Sequence, residues 1–196
     1  MSAKLKENMM NNSIRGLRTL SLAAALIAGA ASLAYAADPM VGGAPMLASK
    51  TIVENASQAK NLTTLVSAVK EAGLVDTLSG PGPFTVFAPT NEAFDKLPKA
   101  TVEKLMQPDM KADLTKILTY HVVAGRLSAN DLRKMIKEGH GQATLKTVSG
   151  GTLTAMMQGS SIVLKDEKGG MSMVTIPNVF QSNGVIHVVD TVVLPN

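Results

Sequence analysis

Three histidines, His121, His140 and His187, are the first candidates for chemistry in this 196-residue chain. An imidazole can act as a general base or a metal ligand near neutral pH, but both uses need partners that converge. No HExxH, paired-histidine or histidine–carboxylate spacing is present, so the sequence predicts no metal centre. His187 lies inside an apolar run and reads as a structural histidine with satisfied nitrogens. His140, between Gly139 and Gly141, reads as a loop residue. Acyl-transfer chemistry has no GxSxG elbow to start from, and Ser160 and Ser161 sit in a turn without a neighbouring base. Ser149-Gly150-Gly151 and Gly169-Gly170 lack the spacing of a phosphate cradle and read as hairpin turns. The chain has no cysteine, which excludes disulfides, thiolate metal sites and a cysteine nucleophile. The expectation is a protein that is not an enzyme and holds no cofactor.

Recognition has better candidates. Residues 120–124 read as a strand, and adjacent strand residues point to opposite faces. One of Tyr120 and His121 is then buried and the other faces outward, leaving two uses open: recognition, or packing and polar pairing. Met156-Met157 and the pair Met171, Met173 cluster late in the chain, and strand alternation puts Met171 and Met173 on one face. They suit either core filling, since methionine adapts to irregular gaps, or an apolar groove for a lipid-, pigment- or polyketide-like ligand. Asn55-Ala56-Ser57 and Asn61-Leu62-Thr63 fit the glycosylation sequon.

The elements that must position these residues fall in two groups. Leu62, Leu65, Val66 and Val69 share one face of a helix, with Asn61 able to cap its start and Gly73 its end. Gly and Pro at 80–83 break the chain, and residues 84–88 read as a short strand. Thr90 caps a helix through residue 97. Further helical turns contain Val102, Leu105 and Met106, then Leu114, Ile117 and Leu118. Ser128 with Asp131 resembles a capping box ahead of the stripe Leu132, Met135, Ile136. After Gly141, short strands follow at 143–148, 152–158, 161–166, 171–180 and 185–194. Their turns are Gly150-Gly151, Gly159-Ser160, Lys168-Gly169-Gly170 and Asn183-Gly184, the last because both residues tolerate positive φ. Helices early and strands late argue for an α+β fold.

Residues 1–36 read as a secretory signal peptide. Lys4, Lys6, Arg15 and Arg18 precede an Ala-rich apolar run at 20–33, and Ala34-Tyr35-Ala36 supplies a small-x-small cleavage pattern. That run is short for a transmembrane span. Removing residues 1–36 takes away four basic side chains and one acid, so the formal charge of +4 becomes almost neutral. Together with four Phe residues and no Trp, this excludes nucleic acid as an expected partner. Residues 37–50, rich in Pro, Gly and Met, read as a linker or an arm laid on a domain spanning 51–196.

Two segments carry a family resemblance. Residues 84–97, FTVFAPTNEAFDKL, resemble the first block of fasciclin-like domains, and residues 183–195, NGVIHVVDTVVLP, resemble the second. Between them TYHVVAG, residues 119–125, is similar to the family's Tyr-His segment. The resemblance implies a wedge of about seven β-strands flanked by short helices, in an exported single-domain protein. Its motif positions are Phe84, Val86, Phe87, Pro89, Thr90, Asn91, Phe94, Asn183, Gly184, His187 and Asp190. Because the Tyr-His region of animal members is implicated in receptor adhesion, the resemblance names Tyr120 and His121 as interaction residues. Asn178 stands where many members carry Asp, which leaves a role for an acid there open. Pro177 beside it cannot donate to a ladder and marks an edge or a bulge. The expected function is adhesion to a protein or surface-matrix partner. The alternative is a periplasmic carrier or sensor of a small apolar ligand.

Overall fold

A computed structural model describes residues 38–196; the signal-peptide expectation and the site after Ala36 lie outside them. Residues 40–45 form a two-strand hairpin, β1 (Met40–Val41) and β2 (Ala44–Pro45). Val41 and Met46 are buried in the core, so the arm is built into the domain rather than merely lying on it.

The first helices cap themselves from the sequence. Thr51 and Glu54 form a capping box on α1 (Ile52–Ala56). The start of α2 (Thr63–Glu71) is capped from a distance: Thr64 N donates to Asn91 Oδ1 at 3.0 Å. Asn61, expected in that role, makes no cap bond, because Leu62 takes the N-cap position. Gly73 ends this turn with φ 71°, a left-handed conformation that costs glycine little. Short α3 (Val75–Ser79) leads into β3 (Phe84–Pro89). Thr90 accepts from Ala93 N and caps α4 (Asn91–Asp95), followed by α5 (Lys99–Leu105) and α6 (Lys111–Tyr120). Ser128 and Asp131 form the expected capping box on α7 (Ala129–Glu138).

The strands β4 (Val122–Ala124), β5 (Gln142–Lys146), β6 (Thr152–Gln158), β7 (Ser161–Lys165), β8 (Met171–Gln181) and β9 (Gly184–Val189) complete the fold. They join β3 in a seven-stranded sheet of order β4-β3-β9-β8-β7-β6-β5. The first and last of these strands in sequence, β3 and β9, are parallel neighbours; every other pair is antiparallel. A bridge between Val123 and Thr147 brings the two sheet edges together, nearly closing a barrel. One core lies between the sheet and α1, α2 and α6, with Leu62, Leu65, Val86, Leu118 and Val188. The other lies inside the curved sheet beneath α7, with Phe87, Tyr120, Leu132, Leu153 and Leu164. β3 feeds both: Val86 and Ala88 face the first and Phe87 the second, as its two-sided apolar pattern predicts.

Three further expectations fail. Residues 120 and 121 are not strand: Tyr120 ends α6 and His121 is its C-cap, with His121 N bonded to Leu118 O at 3.1 Å. The helix started at Lys111 runs on through two residues of high β propensity, because Leu114 and Leu118 anchor it in the core. The strand expected to reach 194 stops at Val189. Asp190 instead takes both main-chain groups of Met173, accepting from its N–H at 2.8 Å and donating to its carbonyl at 3.1 Å. Asn183-Gly184 is not a positive-φ turn; the tight turn is Ser182-Asn183, and Gln181 pairs with Gly184. Gly184 is required for close approach, since a Cβ there would lie 2.2 Å from Phe84 O. Pro177, by contrast, sits in the expected bulge, where β8 shifts register between Ile176 and Val179.

Candidate functional site

The Tyr-His segment lies inside the protein. Tyr120 is 0% and His121 2% exposed, so the expectation that one of them faces outward is corrected. Helical geometry turns successive residues by about 100° rather than 180°, which lets both side chains point inward, each to a different partner set. The Tyr120 hydroxyl donates to Thr152 O at 2.6 Å and accepts from Glu167 N at 3.2 Å. Burial pushes its pKa up to about 12. His121 Nδ1 donates to Ile117 O at 2.9 Å, and its Nε2 accepts from Val193 N at 3.2 Å. Those partners fix a neutral imidazole with the proton on Nδ1, and burial lowers its pKa to about 4.

His187 has the opposite tautomer. Its Nε2 donates to Leu127 O at 2.8 Å, and Nδ1 accepts from Asn178 N at 3.3 Å. The ring stacks on Phe87 at 5.7 Å between centroids, and burial lowers its pKa. Asn178, with φ 61°, turns its Oδ1 to Ala129 N at 2.7 Å, the first residue of α7. An uncharged amide thus fills this position, and its work is to hold a helix start.

The other motif residues are equally committed. Asn183 Oδ1 accepts from Ile52 N at 3.0 Å, while its Nδ2 donates to Leu78 O at 2.8 Å and Gly80 O at 3.0 Å. Asn91 ties α2 to α4. Phe84, Val86, Phe94 and Pro89 pack. Asp190 holds Met173 and pairs with Lys96 at 3.3 Å. Asn55 of the first sequon is buried, bonded to Leu47 O and to Gln181. His140 is exposed at φ 55° after α7, a loop residue as expected. These groups do not converge on one accessible point. No group of three or more His, Asp or Glu able to hold a metal occurs among the described residues.

Open surface grooves of about 240–390 Å³ occur among the described residues, but the enclosed cavities are small. An apolar cavity of about 30 Å³ lies beside His121, lined by Ile52, Leu65, Val69, Val86 and Ile186. That is room for a water, an order of magnitude below a usual ligand pocket. No methionine lines it. Met171 and Met173 do share a face, as alternation predicts, but that face is the outside of the sheet: they are 52% and 37% exposed. Pairing sets Met156 opposite Val163, and Val163 opposite Met173. The outward positions of β5 to β8 add Lys146 and Lys165 and no acidic side chain. Alternation along a single strand groups only Met171 and Met173. It takes the register across β6, β7 and β8 to bring Met156 beside them.

No helix among the described residues is long and apolar enough to cross a membrane. Protein sll1483 of Synechocystis sp. is 45% identical over 74% of this chain and 73% of its own length. The cell surface glycolipoprotein MPB83 of Mycobacterium bovis is 36% identical over 88% of this chain and 74% of its own. A solved FAS1 domain pair from the insect cell adhesion molecule Fasciclin I aligns with a TM-score of 0.67 at 22% identity. It covers 74% of this chain and 51% of that one, a likeness of fold. Residues 60–195 match the Fasciclin domain, and the chain belongs to the fasciclin domain family.

Proposed function

We propose that this protein is an exported, non-catalytic binding module that attaches to a protein or matrix partner at the cell surface. The observation that supports it is the outer face of β5 to β8. The reactive side chains of the family blocks are spent on backbone partners inside the fold. In the outward row Met156–Val163–Met173, Met173 and neighbouring Met171 meet solvent, Met156 is half-buried and Val163 is covered. Lys165, opposite Met171, lies beside the row, so the partner that fits is both apolar and acidic. Relatives named for the cell surface and for cell adhesion agree in kind.

The test is attachment. Deleting the gene and adding back purified protein measures surface binding directly. Met171→Ser lowers attachment several-fold while leaving the melting temperature near wild type, because that side chain is exposed. Full attachment by this variant overturns the assignment of the face.

A further inference from the structure

Val163 points out of the sheet, yet it is 2% exposed and belongs to neither hydrophobic core. Its cover therefore comes from its own face. Directly paired strand residues leave a sheet on the same side, which makes Met156 and Met173 its immediate flanks. They are the side chains best placed to cover Val163 from the two neighbouring strands. Met171 precedes Met173 by two residues and shares the face. A strand spacing of about 4.8 Å sets the Cα atoms of Met156 and Met173 about 10 Å apart, and a rise of about 3.4 Å per residue sets those of Met171 and Met173 about 7 Å apart. A methionine has three rotatable bonds, enough for the three sulfurs to meet above Val163.

We propose that Met156, Met171 and Met173 form a binding site for a soft monovalent metal ion, cuprous or silver. Thioethers are soft donors that select Cu(I). The chain has no cysteine, so thioethers supply its soft sulfur ligands. His121 and His187, the buried imidazoles, have both nitrogens engaged. Neutral sulfurs cancel none of the ion's charge. Lys165, paired opposite Met171, therefore disfavours a divalent ion more than a monovalent one. A thioether loses no proton on binding, so this site binds equally at pH 5.5 and 7.5, unlike imidazole or carboxylate sites.

The probe is silver ion, redox-inert, titrated into the full chain labelled at the methionine ε-methyls. The expected result is that the Met156, Met171 and Met173 methyl signals shift together and saturate at one ion per chain, while buried Met46 does not move. Under anaerobic competition with a chromophoric Cu(I) chelator, Met171→Leu and Met173→Leu each weaken binding at least tenfold, equally at both pH values. Shifts spread over Met40 and Met157 without saturation overturn the site. So does wild-type affinity in the leucine variants, or binding that weakens with acid. Attachment of the wild-type protein is measured with and without the Cu(I) chelator, and docking by apolar contact persists when the ion is removed. Docking and metal binding can therefore fail separately.

Discussion

Tyr120→Phe separates a recognition tyrosine from a structural one. The substitution keeps the ring and removes one oxygen. That oxygen serves two main-chain groups, Thr152 O at 2.6 Å and Glu167 N at 3.2 Å. A lost hydrogen bond costs about 0.5–1.5 kcal/mol, and a stranded buried partner raises this to about 1–3 kcal/mol. Thr152 and Glu167 are otherwise exposed, so water recovers part of the loss and about 1–2 kcal/mol remains. For a domain of this size each kcal/mol is worth about 2–4 °C, so the melting temperature falls by roughly 2–8 °C. Denaturant titration checks the same figure as a lower midpoint at unchanged slope. Attachment of the folded variant stays at the wild-type level. An unchanged midpoint together with lost attachment refutes the buried, structural assignment of the Tyr-His segment. The raised pKa of about 12 gives a second handle. Tyr120 stays protonated in the folded protein above pH 10, where the unfolded chain ionises, so stability is complete below pH 10 and falls as pH rises from 10 towards 12.

Three further outcomes follow from named contacts. His121 is neutral in the fold, with its pKa lowered from 6.5 to about 4. Its contribution is therefore present above pH 6.5 and lost as pH falls towards 4, about 3 kcal/mol in all; urea midpoints at pH 7 and pH 4.5 measure most of it, and His121→Gln shrinks that difference, with buried His187 supplying part of the remainder. Val86→Ala and Val188→Ala, in the first core, each cost about 2–4 kcal/mol through lost burial and a residual cavity, read as lower thermal midpoints. Asn91→Ala removes the acceptor for Thr64 N and costs about 1 kcal/mol, the usual worth of a helix cap, detected by faster amide exchange in the first turn of α2.

Local pattern made much of this fold legible. The late strands fall within a residue or two of their turn signals for β5 to β8, and Gly150, Gly159 and Gly169 carry the positive φ that those turns require. Thr90 and the Ser128–Asp131 box cap the helices they precede. The failures are places where a distant contact outweighs the local signal. Asn61 looks like a cap, but Asn91 arrives from β3's far end and takes the donor first. Tyr-His-Val-Val has β propensity, yet helix α6 is held in place until His121 by its buried leucines. Residues 190–194 are apolar enough for a strand, but the side chain of Asp190 engages Met173 and bends the chain away. The outward methionine face was half legible: alternation along β8 gives Met171 and Met173, but only pairing through β7 adds Met156.

Both tautomeric histidines do one kind of work, and it bears on what family membership means here. His187 joins β9 to the irregular backbone at Leu127 and, through Asn178, to the start of α7. His121 joins the end of α6 to the C-terminal strap at Val193. Asp166 holds the same strap, accepting from Leu194 N at 2.9 Å. Each acts where a segment without a ladder must still satisfy its main chain in a buried setting, and there a mispaired group costs most. Asn183 does this for the ends of α1 and α3. The residues by which the family is recognised are thus those that keep irregular backbone in place, and a match to them argues for the fold. Partner choice belongs to side chains free of that duty. Under the proposed function they include Met156, Lys165, Met171 and Met173, none of which lies in the segments 84–97, 119–125 or 183–195, so relatives sharing those segments can differ in what they bind without any change in fold.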